Sequence, residues 1–196
     1  MSVIALGTIY EKVANWNSLR YDRVYNHDLA VSLLREELTE YFDANSRVDQ
    51  LDALCDLVYV AMGILWKIDC SDDVLESNAQ ESHEQASAFI QTNTLEPIYF
   101  VASIIECLDH SADYPVALAA QMVITLCMTQ MSMMGMLHHE ALLSLLIVCE
   151  SNDSKSVNKA DSSVKANGND KGPFYKAPEP MLADVLKQVE ERHNVN

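Results

Sequence analysis

Apolar positions recur at helical spacing along most of this chain. From His27 to Asp43, Ala30, Leu33, Leu34, Leu38 and Tyr41 fall on one side of a helical wheel, and Asn26 or Asp28 is placed to cap the start. After a short break at Asn45 and Ser46, Val48 to Ile68 predicts a second helix. It is apolar nearly all round from Leu57 to Trp66, the mark of a helix buried at the centre of a bundle. Upstream, Leu6, Ile9, Tyr10, Val13 and Trp16 predict a helix over Ser2 to Trp16, with a mixed polar and aromatic loop over Asn17 to Asn26. Downstream, Pro97 and Pro115 occupy first-turn positions of helices running to about His110 and to about Met134. Leu137 to Glu150 and Pro180 to Arg192 complete the helical set, the last with Met181, Val185, Leu186 and Val189 as its apolar face.

Two stretches lack that pattern. Ser71 to Thr94 is polar, with a short surface helix expected over Glu81 to Gln91, and Ser151 to Lys171 is rich in Ser, Asn, Asp and Lys without apolar periodicity. The expected architecture is therefore an all-α bundle over residues 1–150 and a loop-rich tail over 151–196 whose C-terminal helix packs on the bundle. Leu51 to Ile68 and Ala117 to Met134 are both long and apolar, so a duplicated hairpin is a further option.

Composition narrows the function. The 196 residues are 49% hydrophobic, enough for a sizeable core, while 13 basic against 29 acidic residues give a formal net charge of −16. Direct binding to nucleic acid or to an anionic membrane is disfavoured, because both present negative charge. The cysteines Cys55, Cys70, Cys107, Cys127 and Cys149 are odd in number, dispersed and free of any C-x-x-C pair, so they read as reduced core thiols rather than a disulfide framework or a zinc site. The N-terminal segment has no basic region followed by a long apolar run, and no stretch of about 20 uninterrupted apolar residues occurs, so a soluble, unprocessed cytoplasmic protein is expected.

The distinctive chemistry lies in acids placed where a core should be. Glu37 falls in the middle of the apolar arc of the His27 to Asp43 helix, with Glu36 and Glu40 beside it within one turn. On the next helix Asp49, Asp52 and Asp56 share one stripe, which continues as Tyr59, Gly63 and Trp66. Converging carboxylates cannot all stay ionised out of water unless a cation neutralises them, and only Arg35 and Arg47 lie between Leu29 and Trp66. An all-oxygen set without His or Cys suits a hard divalent cation, Mg²⁺ or Mn²⁺. The competing account is that Glu36, Glu40 and Asp49 form a solvated face.

These residues also carry a family likeness. Leu34-Arg35-Glu36-Glu37-Leu38-Thr39-Glu40 contains an E-E-x-x-E signature, and Leu51 to Gly63 resembles the second helix of the all-α nucleoside triphosphate pyrophosphohydrolases, the MazG-like, dimeric dUTPase-like and phosphoribosyl-ATP pyrophosphohydrolase-like enzymes. Arg20-Tyr21-Asp22-Arg23-Val24, Ser151-Asn152-Asp153-Ser154-Lys155 and Lys171-Gly172-Pro173-Phe174-Tyr175 with Pro178 are similar to elements of a phage and bacterial branch. The likeness covers residues 20–66 and 145–182. It departs in the second helix, where the family has Glu then Asp three residues apart. This chain offers Asp49 with Asp52 or Asp52 with Asp56. Residues 71–115 then read as an insertion.

The resemblance implies hydrolysis of a (deoxy)nucleoside triphosphate between the α and β phosphates, dependent on Mg²⁺ or Mn²⁺. The implied metal set is Glu36, Glu37, Glu40, Asp52 and Asp56, with Asp49 a lesser member; Glu36, Glu37 and Glu40 are the catalytic candidates, one of them orienting or deprotonating the attacking water. Lys155 and Lys171 are the candidate phosphate donors, Asn152 a hydrogen-bond partner for phosphate, sugar or base, and Tyr175 or Trp66 a stacking surface. A homodimer, or a pseudo-dimeric arrangement within one chain, is implied by the size of the hairpin, in the cytoplasm of a bacterium or a phage-infected host. Two other readings are an acidic interaction module presenting scattered carboxylates to a basic partner and a family member that has lost activity. A di-iron bundle is disfavoured, since it needs a Glu-x-x-His motif that does not occur. His138, His139 and Glu140 are expected in a surface turn, and the methionines from Met128 to Met136 in core or at an interface.

Overall fold

The computed structural model describes residues 5–70, 84, 88, 95–111, 115–155 and 173–194. Seven helices are described: α1 (Leu6–Arg20), α2 (His27–Asp43), α3 (Arg47–Lys67), α4 (Pro97–His110), α5 (Val116–Met133), α6 (His138–Asp153) and α7 (Glu179–Asn194). The expected helix over Glu81 to Gln91 lies, apart from residues 84 and 88, outside the described residues.

Local chemistry sets the helix boundaries. The Asn26 side chain accepts a hydrogen bond from the Leu29 N–H at 3.0 Å, so Asn26 rather than Asp28 caps α2. Ser46 does the same for α3, accepting from the Asp49 N–H at 3.1 Å. α1 differs from expectation: it starts four residues later and runs through Arg20 instead of ending at Trp16. The extra turn holds because the Asn17 amide donates to the Val13 carbonyl at 2.9 Å, and Asn17 and Arg20 are buried against the bundle rather than left in a solvated loop. Burial here outweighs the polar character that makes the segment read as a loop.

α3 is the central element. It packs against α1, α2, α5, α6 and α7, and Leu51, Leu54, Cys55, Leu57, Val58 and Ala61 are fully enclosed. α2 and α3 form an antiparallel hairpin, α4 and α5 form a second, and the two close a four-helix bundle through α2 on α4 and α3 on α5. α5 is long and apolar enough to cross a membrane, but most of it is buried inside the bundle, where an all-round apolar surface has the same use. Met122 and Met131 fill that core, while Met133 is exposed.

α7 closes the other side through Leu182, Val185, Leu186 and Val189, on α3 and α6. Its C-terminal end is pinned by polar contacts. Arg192 pairs with the Glu140 carboxylate at 2.8 Å and donates to the Gly135 carbonyl at 2.9 Å, and Arg47 pairs with Glu190 at 3.1 Å. The segment His138-His139-Glu140 is the first turn of α6, with His138 and His139 exposed at the surface as expected and Glu140 turned inward. Glu140 is buried there, accepting from the Leu137 N–H at 2.6 Å, because Arg192 supplies a charge partner from a helix distant in sequence.

Candidate active site

A cavity of about 680 Å³ opens between α1, α2, α3, the end of α6 and the segment leading into α7. α2 contributes Glu36, Glu37 and Glu40, and α3 contributes Asp52 and Asp56 from the facing side of the hairpin. Glu37, in the middle of the apolar arc, is itself buried, as its position on the wheel requires. Asp49 is not brought to this cavity: it is exposed in the first turn of α3, where a negative charge is favoured by the helix dipole. Of the two pairings open in the sequence, the cavity therefore holds Asp52 with Asp56.

Asp52 carries the clearest electrostatic signature. Its carboxyl is pushed up to about 7, first by burial and then by the charges of Asp56, Glu179 and Glu40, against a smaller opposing effect of Lys155. Its Oδ1 is buried and makes no hydrogen bond. A buried, unpartnered carboxylate oxygen among other oxygen donors is chemically suited to a hard divalent cation, and the residues present fit one. Among the described residues no three acids or histidines are already gathered at the spacing of a preformed metal cage, so a cation would have to draw the carboxylates in.

The cavity also has neutral and basic lining. Asn152 and Lys155 line the cavity from the end of α6, and Tyr175 lines it from the segment before α7. Their placement depends on α1. The Trp16 indole N–H donates to the Asn152 carbonyl at 2.8 Å, and the buried Arg20 donates to the Lys155 carbonyl at 3.1 Å while lying over the Trp16 ring. Ser154 Oγ donates to the Ser151 carbonyl at 2.6 Å and accepts from the Lys176 N–H at 2.8 Å, tying α6 to the segment that carries Tyr175. The Ser-Asn-Asp-Ser-Lys element, expected as the opening of a loop, is in fact the last turn of α6 and the residues just beyond it.

Lys171 lies outside the described residues. Trp66 is buried under Arg23 and is not part of the cavity wall, leaving Tyr175 as the cavity aromatic of that expected pair. Several lining residues were not singled out in the sequence. Trp16, Asn17, Tyr21, Tyr25 and Tyr59 form an aromatic and amide end, Lys67 adds a second cation, and Glu179 adds an acid. The Tyr59 hydroxyl is buried without a hydrogen bond, and burial holds its ionisation well above the ordinary range, so it stays neutral and has a hydrogen bond to donate. Burial also lowers the pKa of Lys67, whose ammonium lies 5.1 Å from the Tyr21 ring centroid. Gly63 leaves room for Asn17: an added Cβ would come within 3.5 Å of the Asn17 amide nitrogen.

A bundle whose hairpin brings carboxylates from both arms to one cavity, together with lysine and amide groups, has the donor set that hydrolysis of a phosphoanhydride needs. The sequence agrees. Residues 8–83 match the model of the family described as phosphoribosyl-ATP pyrophosphohydrolase, a family of the all-α nucleoside triphosphate pyrophosphohydrolase superfamily. The matched segment spans α1 to α3 and with them every carboxylate that α2 and α3 bring to the cavity. No curated protein and no solved structure matches the chain.

Proposed function

We propose that the chain hydrolyses a nucleotide bearing a 5′-triphosphate between its α and β phosphates, releasing pyrophosphate and a monophosphate. The observation that carries this reading is that one cavity is lined both by the α2 and α3 carboxylates and by Lys155, Asn152 and Lys67. Polyphosphate chemistry needs both: acids to hold cations and donors to hold phosphate oxygens. The proposed cofactor is Mg²⁺, with Mn²⁺ able to replace it. When bound, it neutralises phosphate charge and makes a water more acidic.

Glu36, Glu37, Glu40, Asp52 and Asp56 would hold the cation. One of Glu36, Glu37 and Glu40 would serve as base instead of cation ligand, accepting the proton of the attacking water as its oxygen bonds to phosphorus and the bridging P–O bond breaks with pyrophosphate leaving. Lys155 and Asn152 orient the phosphates. Trp16, Asn17, Tyr21, Tyr25 and Tyr59 receive the nucleoside, with ring faces for stacking and the Asn17 amide and Tyr59 hydroxyl for hydrogen bonding. An acidic interaction module would instead carry its carboxylates scattered over exposed faces. Here Glu37, Asp52 and Asp56 converge on one cavity.

We further infer the pseudo-dimeric arrangement, since α4 and α5 pack against the acidic hairpin as a second hairpin of the same chain.

The test is pyrophosphate release from a panel of ribo- and deoxynucleoside triphosphates, with phosphoribosyl-ATP as a further arm, in the presence and absence of Mg²⁺. Release that requires the metal and falls at least about a hundredfold in Glu37→Gln is expected, the size of loss typical for a catalytic carboxylate. A folded protein that releases pyrophosphate from no member of the panel overturns the reading.

A further inference from the structure

The second hairpin reaches the cavity through one imidazole. Tyr25 lines the aromatic end of the cavity from the segment between α1 and α2. Its hydroxyl lies 3.0 Å from Nδ1 of His27, the first residue of α2, and Nε2 of the same ring lies 3.0 Å from the Leu108 carbonyl near the end of α4. A carbonyl oxygen only accepts, so Nε2 carries the proton that bonds it. Nδ1 of the neutral ring is then the acceptor for the Tyr25 hydroxyl. Burial, followed by the charge of Asp28, raises the Tyr25 pKa, so this hydroxyl keeps its proton to donate. The end of α4 is itself fixed on α2, because Arg35 pairs with Glu106 and with Asp109 at 2.9 Å each.

We propose that His27 is a positioning residue of this cavity: it holds the Tyr25 ring, by the hydroxyl, in place to receive the nucleoside, with the end of α4 as the anchor. This rests on the pyrophosphohydrolase reading above. The hydrogen bond to His27 fixes the outer end of the Tyr25 side chain, while the Asn26 cap fixes the backbone next to it. With the hydroxyl engaged by His27, it is the ring of Tyr25 that is left for the substrate, which suits stacking on a base. Tyr25 also stands away from the acids. From His27 to Glu36 α2 rises about 14 Å, at 1.5 Å per residue. A side chain so placed acts on nucleotide binding and not on the bond being broken, so its displacement falls on KM.

An ordinary alternative is that His27 only ties α2 to α4, as one more polar contact beside the Arg35 pairs. That role makes stability, not KM, depend on the residue, and it has no use for Tyr25. Two measurements on the full chain separate the roles. The first is the tautomer of His27, read from two-bond ¹H–¹⁵N correlation spectra at about pH 8, where an ordinary imidazole is neutral, with His27→Gln identifying the resonance. The second is a double-mutant cycle of His27→Gln and Tyr25→Phe, scored on KM and kcat for the best substrate of the nucleotide panel, with unfolding midpoints alongside.

His27 is expected in the Nε2–H tautomer. His27→Gln should raise KM about fivefold, the usual effect of one neutral hydrogen bond, with kcat within about twofold of wild type. Tyr25→Phe should raise KM by a similar factor, and the double variant should show no further rise. His27→Asn, which keeps an acceptor near the Nδ1 position, should recover part of the loss. The Nδ1–H tautomer, a wild-type KM in His27→Gln, or a His27→Gln effect undiminished in the Tyr25→Phe background overturns the proposal and leaves the function standing. Wild-type protein that turns over no nucleotide overturns the function and this proposal with it. Should His27→Gln fail to fold, His27→Phe, which keeps a ring and removes both hydrogen bonds, completes the cycle in its place.

Discussion

The Asp52 carboxyl, which would titrate near 3.8 in an unfolded chain, is pushed up to about 7 by burial and by neighbouring negative charge. Between those values the folded state binds a proton that the unfolded state has lost. The favourable contribution of the protonated group is fully present below the unfolded pKa and disappears as pH rises through the folded one. In metal-free protein Asp52→Asn should therefore be more stable than wild type at neutral pH, by about 1–3 kcal/mol, with the difference shrinking toward about pH 4. Urea unfolding in the presence of a chelator, at a series of pH values, measures it; a variant less stable than wild type at neutral pH contradicts the burial argument. The same substitution should abolish metal-dependent turnover, because an amide cannot supply the anionic oxygen. Metal binding in the wild type should weaken as pH falls below about 7, since the proton and the cation compete for the same carboxylate.

Two glycines show how a helix and a turn use the same residue differently. Gly63 lies inside α3 and faces the cavity, and an added Cβ would make ordinary contact with Asn17 at 3.5 Å. Gly63→Ala should stabilise the fold by about 0.5–1 kcal/mol, the usual gain in a helix interior, and raise KM with kcat little changed because the nucleoside end is narrowed. Gly135 sits in the turn between α5 and α6 with φ of +90°, and a Cβ there would come 2.7 Å from His193 Nε2. Gly135→Ala should destabilise by about 1 kcal/mol or more, since the backbone conformation is strained for any L side chain and the α7 contact must shift. Thermal unfolding of the two variants side by side tests the contrast. At this scale the sequence was highly legible: α2 and α4 fall within their expected bounds, because periodicity and capping or proline signals coincide there. The end of α1 was not, because Asn17 and Arg20 look like loop residues until tertiary contacts bury them.

At the scale of the molecule, α7 is a clasp across α3 and α6, and its polar anchor is the Arg192–Glu140 pair. Arg192→Ala would leave Glu140 buried with only the Leu137 N–H, and a loss of about 1–3 kcal/mol in unfolding free energy is expected. With α4 and α5 packed on the acidic hairpin as a second hairpin of the same chain, specific activity should stay constant on dilution from about 10 µM to about 10 nM, whereas a site shared between subunits would lose activity as subunits separate. The sequence by itself determined the helical architecture, the burial of α3 and the acidic hairpin. Those properties follow from residues three or four positions apart, which a helix places side by side whatever surrounds it. Only the tertiary structure decided that Asp56 and not Asp49 joins Asp52 in the cavity, that Trp16 of α1 and Lys155 beyond α6 line it with them, and that Glu179 arrives from the far end of the chain. These groups are neighbours through helix packing, and spacing along a single helix cannot show which faces of distant helices will meet.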